Sequence, residues 1–149
     1  MTLDSLKQIF ERDLNKLNKE LDAYTSAEEL WILTGDINNT GGNLILHLCG
    51  NLQHFVGAVL GNSGYIRKRD EEFGLKGLSK AELSSQIDAT KKAVSDALEQ
   101  LNVEDLNEPF PINVFGHEMT TDFFLIHLAS HLSYHLGQIN YHRRLLANQ

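Results

Sequence analysis

With 149 residues, the chain has the length of one domain with a sizeable core and is too short for two comfortable ones. Its composition, 42% hydrophobic and 22% charged, is that of a soluble globular protein and argues against disorder. The formal charge of −7 offers no general attraction to nucleic acid or an anionic membrane, and the single cysteine, Cys49, excludes an internal disulfide framework or a multi-cysteine metal site.

In chain order, Leu3, Leu6, Phe10, Leu14, Leu17, Leu21 and Tyr24 recur every three or four residues, with Lys, Glu and Asp between them. That spacing predicts an amphipathic helix of about six turns with one face for a core. Its charge and periodicity are unlike a secretory signal, so a cytoplasmic location is expected. A second helix is predicted from Thr40 as N-cap to Leu60, ending at Gly61-Asn62-Ser63-Gly64. Ser79-Lys-Ala-Glu82 has the form of a capping box and opens a third helix through Leu83, Ile87, Val94, Leu98 and Leu101. Pro109 and Pro111, the only prolines, precede a fourth helix from about Thr120 to Leu146. Four long helices without an alternating strand or a repeat predict an all-α, single-domain four-helix bundle over residues 1–149.

Two of these helices differ from the others. No Asp, Glu, Lys or Arg occurs from Ile37 through Ile66 or from Phe123 through His142. Gly, Asn, Gln and His interrupt both runs below the length that a bilayer needs, so neither is a membrane span. Both are expected to be buried by protein, and their polar residues then require partners.

Those polar residues fall in stripes. Asn43, His47, Asn51 and His54 share one face of the second helix; His127, His131, His135 and His142 follow one face of the fourth, joined by Ser130, Tyr134, Gln138 and Tyr141. His-x-x-x-His on a helix lets two imidazoles reach one ion, and a third from a facing helix completes a three-histidine site. Zinc, nickel, copper and ferrous iron all suit such ligands. Leu132 stands where a zinc protease carries its glutamate, which excludes that chemistry.

His131-Leu-Ser-Tyr-His135-Leu-Gly-Gln138-Ile resembles the terminal-helix signature of the DinB-like (YfiT-like) superfamily, and His47-Leu-Cys-Gly-Asn51-Leu resembles its second-helix motif. Arg67-Lys-Arg69-Asp70-Glu-Glu72-Phe73 resembles an Arg-x-Arg-Asp-x-Glu-Phe loop of one uncharacterised branch. The resemblance implies an up-down-down-up bundle, often a homodimer, holding a divalent zinc or nickel ion on His47, His131 and His135. Some relatives are metal-dependent thiol S-transferases that use bacillithiol or a similar low-molecular-weight thiol, and thiol transfer to a small-molecule substrate is the activity the resemblance favours. The alternatives are a non-catalytic, stress-related bundle with a structural ion, and a metal-dependent hydrolase.

Around these ligands, Asn51 and Gln138 are candidates for orienting the imidazoles or contacting substrate, the alternative being hydrogen bonds between helices. Arg67 and Arg69 can bind a carboxylate of substrate or thiol; the competing expectation is an ion-pair cluster with Asp70 and Glu72 that fixes the loop. His54 lies about 10 Å along the axis from His47 and is expected near His127, in contact or through water. Cys49 should face away from the ion as a core thiol. His117 and His142 are expected outside the site, and Trp31 as a core or loop anchor. No general base is evident; Tyr134 and Tyr141 qualify by position alone.

Overall fold

The computed structural model describes residues 2–147. Within them are five α-helices: α1 (Thr2–Ala23), α2 (Gly41–Leu52), α3 (Arg69–Gly74), α4 (Lys80–Glu99) and α5 (Thr121–Leu146). Short 3₁₀ turns at Glu28–Trp31 and Glu104–Asn107 punctuate the connections. An isolated antiparallel bridge joins Pro109 to Thr120 just before α5.

The long helices form because their apolar residues repeat at helical spacing, and packing those stripes together removes them from water. In α1 the predicted positions Leu3, Leu6, Phe10, Leu14, Leu17 and Leu21 are all buried. α1 and α2 each pack against both α4 and α5, which puts the core between all four. α2 is the innermost: every residue from Gly41 to Leu52 is buried, as its lack of charge requires. Thr40 caps it, accepting a hydrogen bond from the Asn43 backbone N–H at 3.1 Å. At Gly42 a Cβ atom would lie 2.6 Å from the Trp31 ring, so the absence of a side chain there admits the indole. Trp31 is fixed in turn by its Nε1–H, which donates to the Leu78 carbonyl at 3.2 Å.

α4 starts at the expected capping box. The Ser79 hydroxyl accepts from the Glu82 N–H, and the Glu82 carboxylate accepts from the Ser79 N–H. His142 on α5 is buried away from the other polar residues of its stripe. It accepts from the Tyr24 hydroxyl at Nδ1 (2.7 Å) and donates from Nε2 to the Ile32 carbonyl (2.8 Å). The pair ties the end of α5 to the turn after α1.

Two departures from the sequence reading affect the site. The second helix runs to Leu60 as expected, but from Gln53 to Leu60 it widens into a π-helix. There the backbone bond spans five residues, as from the Gly61 N–H to the Val56 carbonyl (3.0 Å), so a seven-residue spacing no longer returns to the same face. The segment containing Arg69, Asp70 and Glu72, expected as a loop, is the short helix α3. Asp70, Glu71 and Glu72 occupy its first turn, where acidic groups complement exposed backbone N–H groups. Among the described residues no helix is long and apolar enough to cross a membrane.

Candidate metal centre

α2 carries His47 and α5 carries His131 and His135, one turn apart. Packing α2 against α5 brings the three rings together. His47 Nε2 lies 3.2 Å from His131 Nε2, and His135 Nε2 lies 3.1 Å from the same atom. One ligand atom from each of the three lies within 4.8 Å of the others, and among the described residues no other His, Cys, Asp or Glu joins the group. Ligands held at tetrahedral zinc distances would stand about 3.3 Å apart, which the two separations from His131 match.

Hydrogen bonds on the far side of the rings fix two of the tautomers. His47 Nδ1–H donates to Glu72 Oε1 at 3.0 Å, because a carboxylate can only accept. His135 Nδ1–H donates to Gln138 Oε1 at 2.7 Å. With Nδ1 bonded on the far side, each of the two rings turns its Nε2 to the shared point. His131 can place one proton there, too few to satisfy two facing acceptors, and its own buried Nδ1 has no hydrogen-bond partner. A cation satisfies all three nitrogens together. Burial lowers the pKa of His131 to about 4, helped by the neighbouring His135, His47 and His127 rings and by Arg67. Burial likewise lowers His135, against the hydrogen bond to Gln138. At neutral pH these two rings are uncharged and their lone pairs are available to a metal.

Glu72 belongs to this constellation although it was expected only as part of a loop cluster. It is 5% exposed, and it accepts from Arg67 through Nε (2.8 Å to Oε2) and Nη2 (2.9 Å to Oε1) as well as from His47. Burial alone would raise its pKa; the hydrogen bonds from His47 and Arg67 and their charge outweigh this and hold it below the ordinary glutamate value. The signal in the sequence was the need itself: a ligating imidazole requires an acceptor for its other N–H, and α2 offers no acidic residue.

Gln138 touches His135 directly. Asn51 is buried one turn beyond His47, and its Oδ1 has no hydrogen-bond partner. Arg67 is committed to Glu72, with its guanidinium 5.7 Å over the Phe55 ring. Arg69 is exposed and stands 5.4 Å over Phe73, whose ring lies 4.9 Å from that of His47. Phe73 is thus a shared neighbour of Arg69 and His47. Cys49 is buried as expected, and desolvation pushes its thiol up to about 12. Tyr134 and Tyr141 are both 65% exposed on the outside of α5, and neither supplies a buried base.

His54 and His127, expected in contact or joined through water, make no direct contact. His54 packs against Phe55, whereas His127 lies among Phe115, Phe124 and His131, and no hydrogen bond or ring contact joins the two histidines. His54 lies within the π-helical segment, where the α-helical spacing used to align it no longer applies. His117 is exposed and outside the site, with Nδ1 3.1 Å from the Glu118 carbonyl.

Fold and site together define a class: an all-helical bundle of DinB-like architecture with three histidines converging from two helices. The same fold is found in the crystal structure of a DinB-like protein from Bacillus cereus ATCC 10987, with a TM-score of 0.76 at 19% identity over 97% of this chain and 92% of that one. More narrowly, the chain belongs to the family described as protein of unknown function (DUF1572), whose pattern matches residues 1–149. Among curated proteins none matches it.

Proposed function

We propose that this protein holds one divalent ion, zinc or nickel, on His47, His131 and His135, and uses it as a metal-dependent thiol S-transferase acting on a small molecule. The observation that carries the metal reading is the convergence of three Nε2 atoms, two of them with their far-side N–H already spent on Glu72 and Gln138. A divalent ion lowers the pKa of a thiol or water that it binds, which is the chemistry such a site supplies. Bacillithiol or a similar low-molecular-weight thiol is the proposed co-substrate, by resemblance to the DinB-like superfamily.

The protein's own groups divide the work. Gln138 orients the His135 imidazole; Asn51, with a buried acceptor left over, is the proposed contact for a donor on the thiol or substrate. Arg67 donates two N–H groups to Glu72 and has others left for a substrate carboxylate, with Arg69 a more distant contribution to the same charge. An open catalytic position is favoured over a closed structural ion because only three ligands gather among the described residues, and His131 and His135 are half-buried rather than sealed. Hydrolysis remains the second reading of the same site.

The working form is proposed to be a cytoplasmic homodimer. α5 exposes Phe123, Ile126, Tyr134, Tyr141 and Leu145, with Ser130, Ser133 and Gly137 between them and no charged residue from Phe123 through His142. An uncharged face along most of a helix is the kind of surface that a second copy covers.

Metal analysis of untagged protein, wild type against His135→Ala, together with bacillithiol transfer to a generic electrophile, tests the proposal. We expect about one ion per wild-type chain, its loss in the variant, and turnover that follows the metal. A metal-loaded protein inactive with every thiol tried would remove the transferase reading, and a wild-type chain without affinity for zinc or nickel would remove the metal reading.

A further inference from the structure

We propose that Glu72 is a positioning residue for His47: α3 delivers a buried carboxylate that fixes which imidazole nitrogen carries the proton and aims the other at the shared point. The inference deepens the metal reading above and rests on it for the consequence for ion affinity, though not for the tautomer.

Three independent features of the chain converge on this role. First, the carboxylate is held from two sides, by His47 Nδ1 and by two nitrogens of Arg67, so it is ionised and cannot rotate away without losing three hydrogen bonds. Second, α2 is built to admit it. A Cβ atom at Gly50 would lie 2.0 Å from Glu72 Oε2 and 2.6 Å from its carboxyl carbon, so only glycine at this position lets the carboxylate lie against the helix. Third, the short helix is bolted to α2 at its far end. Asn43 Nδ2 donates to the carbonyls of Glu72 (3.0 Å) and Leu75 (2.9 Å), and Lys76 donates to the Asn43 side-chain oxygen.

A six-residue helix buries little apolar surface of its own, and its one buried side chain is Glu72. A buried carboxylate is costly without full pairing. Here the pairing is full, and its inner partner is the imidazole that reaches toward His131. Without Glu72, the His47 proton could sit on either nitrogen. The Nε2–H form would direct a proton at the point where the three lone pairs meet.

Nitrogen-detected NMR of the His47 ring at pH 7.5, in metal-free wild type, Glu72→Met and Glu72→Gln, tests the assignment alongside Zn²⁺ affinity measured by competition with a chromophoric chelator. The wild type is expected to carry the proton on Nδ1. Glu72→Met, similar in size but without an acceptor, should lose that preference and bind Zn²⁺ about 10–100-fold more weakly. Glu72→Gln restores an acceptor and should recover the tautomer with part of the affinity, a rescue that a purely structural role would not produce. The proposal is overturned by a wild-type His47 protonated at Nε2, whether or not the variants fold, or by a folded Glu72→Met with unchanged tautomer and affinity. A wild type that binds no Zn²⁺ but shows the Nδ1 proton, lost in Glu72→Met, would sink the metal reading and leave the positioning role standing.

Discussion

Cys49 sits two residues from His47, yet their side chains face different surroundings. Its thiol is buried against the core, and desolvation pushes its pKa to about 12, so the reactive thiolate is scarce at neutral pH. We expect native protein at pH 8 to react with a thiol-specific reagent orders of magnitude more slowly than denatured protein, a difference read directly from the colour released. Rapid labelling of the folded chain would restore Cys49 as a nucleophile. At this scale the sequence was informative about identity and silent about partners. His47, His131 and His135 were legible because His-x-x-x-His and a third imidazole are unusual on uncharged helices. Glu72 was not, because nothing local distinguishes it from Glu71, one residue earlier: one is buried against Gly50, the other exposed. That difference exists only once α3 meets α2.

At the scale of elements, the helix boundaries set by local chemistry were legible and those set by packing were not. Ser79 and Glu82 announced α4 because a capping box is made within four residues. The change of pitch at Gln53 had no comparable local signature, and it alters the face on which His54 falls. The capping box makes a pH-dependent contribution whose sign is fixed. Hydrogen bonds from the Ser79 backbone and side chain hold the Glu82 carboxyl below its ordinary value, with burial a minor opposing effect. A depressed carboxyl pKa adds stability above the pKa of the unfolded chain and loses it as pH falls through the folded value. The melting temperature of wild type should therefore exceed that of Glu82→Ala at pH 7, with the gap shrinking below about pH 4. A gap that stays constant into acid would assign the difference to helix propensity instead.

For the molecule as a whole, fold class followed from counting long amphipathic segments. What the count missed was the short helix α3 within the connection between α2 and α4, which carries Glu72 to His47. The uncharged face of α5 bears on assembly. Light scattering is expected to give twice the chain mass for wild type, and Ile126→Lys combined with Tyr134→Glu should return it to monomer. These exposed positions lie outside the core, so the monomer should keep its helical content. A monomeric wild type at micromolar concentration would refute the dimer.

His47 and His131 stand 84 residues apart in the chain, yet their nitrogens nearly touch. Such a meeting point cannot exist in a partly assembled bundle, since α2 and α5 must both be home before the nitrogens converge. An ion caught there weights the completed structure over every incomplete one by mass action, by about 2.7 kcal/mol at a hundredfold excess over its dissociation constant. Cation capture would then act as a late latch on folding: Zn²⁺ should raise the melting temperature and slow unfolding, and a chelator should reverse both, while leaving refolding speed almost unaltered.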